Sequence, residues 1–378
     1  MDQTVGKTDS TLAHAERIAW LRLIRTEHVG PMTFRGLLQR FGSAEAALAE
    51  LPTLARTGGR AKSLRTPSAA DAEREIESLV RIGGHLFTFK DDGYPRLLAA
   101  IDDAPPVLSV LGDPSRLTER AIAIVGARNA SGVGRKFGRE LASELGRLGF
   151  LIVSGLARGL DAAAHEGALT TGTAAVMAGG IDVCYPRENQ ALYDRIREGG
   201  VLVSEQPLGL NPTARHFPIR NRIVSGLARG VVVVEASLRS GSLITARLAG
   251  EQGREVMAVP GSPLDPRARG ANKLLRDGAA LIEEAADVVA ALGPTPFPLA
   301  EDGPCAPPSS VPSKLLESDV ELAKRVILEL LGPVPLAVDE IIRQCHLSPP
   351  MVALVVLELE LAGRVERHPG NRIAAATA

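Results

Sequence analysis

From residue 121 onward, short and wholly apolar runs alternate with segments whose apolar residues recur at helical spacing. The runs predict buried strands at 121–125, 151–153, 173–177, 201–204, 230–234 and 255–259. The segments between and after them predict helices at 136–148, 160–169, 189–198, 219–227, 242–253 and 285–292. Strands that are apolar on both faces are typical of a parallel sheet covered by helices on both sides. The predicted fold class is therefore α/β, with a doubly wound, Rossmann-like and mostly parallel sheet over residues 85–292.

The chain before this region has a different, mainly helical pattern. Apolar residues at helical spacing predict helices at 11–27, 32–41, 44–51 and 71–83, with a His-Val-Gly-Pro break at 28–31. Two short strands are expected at 85–89 and 107–111. Residues 1–84 are thus predicted to form a small N-terminal helical domain. Its Gly-Pro hairpin is compatible with a DNA-binding helical hairpin and equally with an ordinary helical bundle.

The C-terminal part is separated by a stretch rich in Pro, Ser and Ala, which predicts a linker at 293–316. Helices at 318–331, 338–344 and 350–362, followed by a hairpin at 364–374, form the pattern of a winged-helix domain over 317–378. The helix 350–362 would be its recognition helix, but it carries Glu358 and Glu360 and neither Lys nor Arg. From residue 318 the chain has six basic and eight acidic residues, so protein binding or dimer packing is as good an interpretation as DNA binding.

Composition narrows the class of protein. The 378 residues are 45% hydrophobic with a net charge of −1, so the chain is globular and any basic surface must be local. Cys184, Cys305 and Cys345 are far apart and form no zinc spacing, so we expect reduced thiols and no metal. We find neither a signal peptide nor an apolar run of membrane-spanning length, and expect a soluble cytoplasmic protein without a membrane partner.

Ligands of parallel sheets bind in the loops at the carboxyl ends of the strands. The loop after the first run contains Gly126, Arg128 and Ser131, followed by Gly132 and Gly134. Backbone N–H groups and a helix N-terminus in such a loop suit a phosphate, which Arg128 could hold bidentately. A glycine-containing turn with a solvated arginine is the alternative. The dinucleotide pattern GxGxxG is absent, and the second strand ends without an acidic residue, so no nicotinamide or flavin cofactor is expected.

A hydrolase is the main enzymatic alternative. Ser154, Asp161 and His165 could form a triad, since the last two are four residues apart on one predicted helix. The pattern GxSxG is absent, however, and Ser154 is equally explained as a turn or capping residue. The glycines of the strand-end loops also resemble those of nucleotide-binding phosphoribohydrolases, but the Gly-Gly-x-Gly-Thr run of those enzymes is missing.

Residues 207–234 contain no Asp or Glu but several arginines, together with Phe217. An aromatic face beside guanidinium groups is typical of single-stranded nucleic-acid sites, where bases stack and phosphates pair. The alternative is that Phe217 belongs to the core and that Arg220 and Arg222 pair with distant carboxylates. We favour the binding interpretation because the strand-end loops carry no convincing catalytic group.

These residues also carry a family resemblance, which covers about 121–292. The sequence resembles the DNA processing protein A (DprA, or Smf) family in the motifs IVGAR at 124–128, SGLARGLD at 154–161, GID at 180–182, FPIRNRIVSGL at 217–227, SGS at 240–242 and VPG at 259–261.

The resemblance implies an extended Rossmann-like fold that binds and protects single-stranded DNA, forms a homodimer and loads the RecA recombinase during natural transformation. It also implies an N-terminal domain of sterile-alpha-motif type and a C-terminal winged helix. Neither catalytic activity nor a cofactor is expected from the resemblance. The DNA-binding residues implied by the motifs are Gly126, Arg128, Ser131, Ser154, Gly155, Arg215, Phe217, Arg220, Asn221, Arg222, Ser240, Gly241 and Ser242. Two positions depart from the family pattern: Ala127 replaces a common Ser, and Ala214 stands where a base is expected, with Arg215 next to it.

Overall fold

The computed structural model describes residues 12–118, 120–293, 317–368 and 370–376. Its helices are α1 (His14–Ile24), α2 (Pro31–Phe41), α3 (Ala44–Thr57), α4 (Ala69–Arg81), α5 (Arg96–Ala99), α6 (Gly132–Arg147), α7 (Leu160–Ala168), α8 (Gln190–Gly199), α9 (His216–Gly226), α10 (Ser242–Glu251), α11 (Arg269–Arg276), α12 (Ala285–Leu292), α13 (Glu317–Leu330), α14 (Val338–Cys345) and α15 (Pro349–Leu361). Its strands are β1 (Gly84–Thr88), β2 (Val107–Gly112), β3 (Ala121–Val125), β4 (Leu151–Ser154), β5 (Thr173–Val176), β6 (Val201–Ser204), β7 (Gly230–Val233), β8 (Glu255–Ala258), β9 (Ala280–Leu281), β10 (Leu336–Ala337), β11 (Val365–His368) and β12 (Arg372–Ala375).

The main sheet of the described residues has nine strands in the order β1-β2-β6-β5-β4-β3-β7-β8-β9. The strands from β3 to β9 pair in parallel, whereas β1 and β2 join one edge in antiparallel pairing. The central strands β3, β4, β5 and β7 are buried along their whole length, as expected for a sheet covered on both faces. The predicted mostly parallel α/β fold is therefore confirmed. The two-residue strand β9 is too short to leave a periodic signal and was not predicted.

The described backbone divides into two compact units. We call the first the sheet unit, with the described residues of Met1–Ile18 and Glu73–Ala291, and the second the helical unit, with those of Ala19–Ala72 and Leu292–Ala378. Helices α2 and α3 thus group with the winged helix, whereas the division between the units falls within α1 and within α4. Apart from Gly293, the predicted linker 293–316 lies outside the described residues, as do the polar tail 1–10 and Cys305.

Helix α15 occupies the position predicted for a recognition helix, but it is buried by other helices of its own unit. It packs against α13 and α14 and also against α2 and α3. A Cβ atom at Gly58 would lie 2.1 Å from the backbone carbonyl oxygen of Glu358, so α3 and α15 approach closely at this glycine. The helix predicted for recognition is therefore covered by the N-terminal helical segment of the same chain. Binding of another protein or dimer packing by this domain stays a prediction.

The acidic residues of α15 are buried in ion pairs. Glu358 lies 2.9 Å from Lys324 Nζ, and Arg367 Nε donates to Glu360 Oε1 at 2.7 Å. Thr33 Oγ1 of α2 donates to Glu360 Oε2 at 3.1 Å. Burying a charge is unfavourable unless it is compensated; Glu358 has the ion pair with Lys324, and Glu360 has both an ion pair and hydrogen bonds within the helical unit. Their presence on α15 reflects internal packing.

Candidate nucleic-acid interface

The loop after β4 is fixed by the carboxylate of Asp161 at the start of α7. Asp161 Oδ2 accepts the backbone N–H of Gly155 at 3.1 Å and that of Ala157 at 3.3 Å. Burial raises the pKa of Asp161, while Arg220 and the two N–H donors act in the opposite direction. The side chain therefore holds the backbone of this loop in place.

His165, one turn further along α7, fixes the same loop. Its Nε2 accepts the N–H of Leu156 at 3.2 Å, and Leu156 has a left-handed backbone with φ of 54°. Its Nδ1 lies 2.7 Å from Thr173 Oγ1, which itself donates to the carbonyl of Ile152 at 2.7 Å. Nδ1 therefore carries the proton. Burial, and to a lesser extent Arg220, lowers the pKa of His165 to about 3, so the ring is neutral.

The imagined triad is not assembled. Ser154 is fully buried, and its Oγ donates to the carbonyl of Ile124 at 2.6 Å rather than to His165. Asp161 and His165 instead form hydrogen bonds with backbone groups of the loop, and His165 also with Thr173. Ser154 and Gly155 are both buried, and the part in DNA binding that the family resemblance implies for them stays a prediction.

Arg220 is also a buried support for this loop, with 5% of its surface exposed. Its Nη1 donates to the carbonyl of Gly155 at 2.7 Å and to that of Val176. Burial lowers the pKa of Arg220 to about 10, with Asp161 opposing and Arg128 adding to the shift. The guanidinium therefore ties the ends of β4 and β5 together from below the surface.

Arg222 is buried as well and is neutralised by carboxylates from other segments. Its Nη2 lies 2.5 Å from Glu205 Oε2, and its Nε lies 3.5 Å from Asp103 Oδ2. Burial disfavours the cation, but these two carboxylates outweigh that effect and raise the pKa of Arg222. The expectation of a solvent-facing rim is therefore wrong for Arg220 and Arg222, and the alternative of pairing with distant carboxylates is correct for Arg222.

The N-terminus of α6, predicted to suit a phosphate, is occupied by the protein itself. Ser131 Oγ accepts the N–H of Gly134 at 2.8 Å and donates to Glu235 Oε1 at 2.5 Å. The N–H of Ser131 donates to Glu235 Oε2 at 2.9 Å. A carboxylate thus takes the place that an anion would have at this helix end. Ser131 is a capping residue here, and its expected contact with DNA stays a prediction.

Three side chains lie together at the surface, and we call Arg128, Tyr185 and Phe217 the aromatic platform. The Arg128 guanidinium carbon is 4.9 Å from the Phe217 ring centroid, a cation–π geometry. The rings of Phe217 and Tyr185 are 5.5 Å apart at 53°. Arg128 is exposed, Tyr185 is 48% exposed and Phe217 is half-buried. Sequence reasoning missed Tyr185, although a tyrosine in a strand-end loop of a chain with only 3% aromatic residues is a usable signal.

The remaining predicted residues flank this surface or support it. Asn221 lies on α9 one turn after Phe217, hence on the same helix face, and its Nδ2 donates to the carbonyl of Gly241 at 3.3 Å. The hydroxyls of Ser240 and Ser242 are 2.7 Å apart, and Ser242 is buried. Gly126 packs where a Cβ would meet Leu160, and Arg215 is exposed just before α9.

Other kinds of site find no support in the described part of the chain. It contains no group of three or more His, Cys, Asp or Glu side chains placed to hold a metal ion. None of its helices is both long and apolar enough to cross a membrane.

Three models of known protein families match most of the chain. Residues 85–293 match the model described as DNA recombination-mediator protein A, 14–78 that of a DprA-like N-terminal HHH domain, and 308–371 that of a DprA winged helix domain. Protein Smf of Escherichia coli K12 is 40% identical over 292 residues, which is 76% of this chain and 77% of that protein.

Two solved structures are also similar. DNA processing protein A of Streptococcus pneumoniae has a TM-score of 0.64 at 34% identity, covering 74% of this chain and 98% of that one. DNA processing protein A of Helicobacter pylori, whose structure concerns its single-stranded DNA binding mode, has a TM-score of 0.51 at 29% identity, covering 55% and 95%. The matched models and the identity to Smf show that this chain belongs to the DNA recombination-mediator protein A family, known as DprA or Smf.

Proposed function

We propose that this chain binds single-stranded DNA on the aromatic platform and delivers it to the RecA recombinase during transformation or recombination. The observation that carries the proposal is the exposed contact of Arg128 with Phe217 and Tyr185 at the strand ends. Membership of the family and the DNA-binding relative from Helicobacter pylori support it.

The platform has the chemistry that an unpaired strand requires. Exposed rings offer π-faces on which bases of any sequence can stack, and each stacked base contributes about 1–3 kcal/mol. Arg128 supplies positive charge for a phosphate, and within the described residues it makes no ion pair. The buried Arg220 behind it also has the carboxylate of Asp161 beside it, so the exposed positive charge of the platform comes from Arg128. Arg222 adds little, because Glu205 and Asp103 neutralise it.

The test compares the affinity of a fluorescent oligo-dT for wild type and for Phe217→Ala by anisotropy. Loss of one stacked base should weaken binding by about 5-fold to 150-fold. Phe41→Ala is a matched control, since Arg40 lies 5.3 Å above the Phe41 ring in a comparable cation–π pair on the helical unit. Equal affinity of wild type and Phe217→Ala would overturn the proposal.

Delivery to a recombinase needs a separate measurement. We propose that a homodimer protects the strand and loads RecA onto the protected single-stranded DNA. Wild type should shorten the lag of RecA filament assembly on such DNA, and Phe217→Ala should not. An unchanged lag with wild type, under conditions in which it binds the strand, would refute RecA loading.

We further propose that the chain acts without catalysis, in the cytoplasm. The proposal that the chain is not catalytic rests on the hydrogen bonds of Ser154, Asp161 and His165, which hold a loop and do not align the three side chains with one another. Incubation with nucleoside monophosphates should release no ribose phosphate. Release that disappears in His165→Gln would favour the phosphoribohydrolase alternative.

A further inference from the structure

A second basic surface lies in a cleft between α6 and α7, beside the aromatic platform. The cleft has a volume of about 420 Å³, and its lining includes Arg135, Lys136, Arg139 and Arg158, with Glu166 as an acidic member. The lining carries four cations against one carboxylate, and Glu140 and Glu188 pair with two of the cations from outside the lining.

Glycines bring the walls of the cleft together. A Cβ at Gly167 would lie 2.1 Å from the carbonyl oxygen of Arg139, and one at Gly138 would lie 2.8 Å from Leu160 Cδ1. The two helices therefore pack at close range. The cations of α6 follow one another at positions i, i+1 and i+4, which places Arg135 and Arg139 one turn apart on the same face. The arrangement is a short row of charge along a rigid helix.

The existing partners of these cations are exposed and exchangeable. Arg139 pairs with Glu166 and Arg158 with Glu188, and all four side chains are at least 40% exposed. Lys136 is 3.8 Å from Glu140, and both are more than half exposed. Exposed pairs contribute only about 0–1 kcal/mol, so a phosphate can replace such a carboxylate at little cost.

The cleft is continuous with the platform through Gly159. This residue lines the cleft, and a Cβ there would lie 2.6 Å from the carbonyl oxygen of Arg128 and 2.3 Å from that of Ala127. The backbone of Arg128 is thus packed against the cleft wall while its side chain lies over Phe217. A strand held at Arg128 reaches the cleft within its next nucleotides.

We propose that the α6–α7 cleft binds further phosphates of the same single strand, extending the site beyond the aromatic platform. This inference rests on the proposed DNA-binding function. The ligand chemistry is the phosphate diester, read through charge and without base contacts. The strand therefore runs from the stacked bases at Phe217 past Arg128 and along the row formed by Arg135, Lys136 and Arg139.

The test uses the full chain, two oligo-dT lengths and a salt titration. An oligonucleotide of about 2 nucleotides, one for each ring, covers only the platform, and one of about 20 reaches the cleft as well, since comparable sites span about 4–16 nucleotides. In the double variant Arg135→Ala/Lys136→Ala, binding of the short strand should be unchanged. The salt slope for the long strand should fall by about 1.4, at roughly 0.7 for each lost phosphate contact.

Arg147→Ala is the matched control, because Arg147 is an exposed arginine at the other end of α6. Arg128→Ala should weaken both strand lengths. If the double variant behaves like Arg147→Ala on the long strand while Arg128→Ala still weakens binding, the cleft proposal fails and the platform stands. If wild type binds neither strand, both fail.

Free polyphosphate is the other source of this ligand chemistry. If the cleft serves DNA, tripolyphosphate should bind only weakly in calorimetry. The salt slope for the long strand should still decrease when Arg135 and Lys136 are replaced. Loss of tripolyphosphate binding in the double variant with an unchanged long-strand slope would overturn the proposal.

Discussion

His165 should make the sheet unit sensitive to mild acid. The buried ring is neutral, with its proton on Nδ1 toward Thr173 Oγ1 and its Nε2 accepting the N–H of Leu156. Protonation would place a second donor against that N–H and a charge in a buried site beside Arg220. The folded state therefore resists the proton that the unfolded chain accepts readily.

The magnitude follows from the two pKa values of His165. The pKa is about 3 in the folded protein, against an ordinary value of 6.5. Because the folded value is the lower one, the unfolded state binds the proton first. The stabilising contribution is complete above pH 6.5 and is lost as the pH falls toward 3. At pH 5 the loss is on the order of 2 kcal/mol. The raised pKa of Asp161 acts in the opposite sense, since its folded form retains a proton more readily.

The comparison of wild type with His165→Gln isolates this residue. Between pH 7 and pH 5, the calorimetric Tm of the sheet unit should fall by about 4–8 °C more in wild type than in the variant. The same shift in both proteins would refute the reasoning. So would an NMR titration in which the His165 ring, assigned by its absence from the variant, ionises near pH 6.5.

Three further predictions concern buried contacts. Arg222→Met should destabilise the sheet unit by about 3–5 kcal/mol, because it removes the buried cation that pairs with both Glu205 and Asp103; calorimetry showing no loss would contradict this. Lys324→Met should lower the unfolding free energy of the helical unit by a similar amount, because it removes the cation that pairs with the buried Glu358. Urea unfolding measures this loss through the fluorescence of the chain's single tryptophan, which lies in that unit. Gly58→Val should lower the same urea midpoint, since its side chain meets the α15 backbone; a wild-type midpoint would show that α3 and α15 do not pack as described.

The fold was accessible from the sequence because its signals are local. The apolar run 121–125 became β3, and the helix 285–292 became α12 with the same bounds. The spacing of apolar residues predicts which face of a segment is buried, but it does not predict which other segment covers that face. The prediction for α15 shows the difference: its helical character was evident, whereas its burial by α2 and α3 depends on residues some 300 positions away.

The candidate site was only partly predictable for the same reason. The absence of acidic residues from 207–234 suggested exposed positive charge, but the partners of Arg222 come from Asp103 and Glu205, outside that window. Glu235, the residue just after the window, fills the helix end expected to hold a phosphate. Arg128 and Phe217 were correctly placed together, since the loops after parallel strands share one edge.

The salt dependence of oligo-dT binding by wild type and Arg128→Ala tests the central claim most directly. If Arg128 holds a phosphate beside the stacking rings, the variant should bind more weakly at low salt, with a slope of log affinity against log salt reduced by about 0.7. Identical slopes and affinities for the two proteins would show that the strand binds elsewhere.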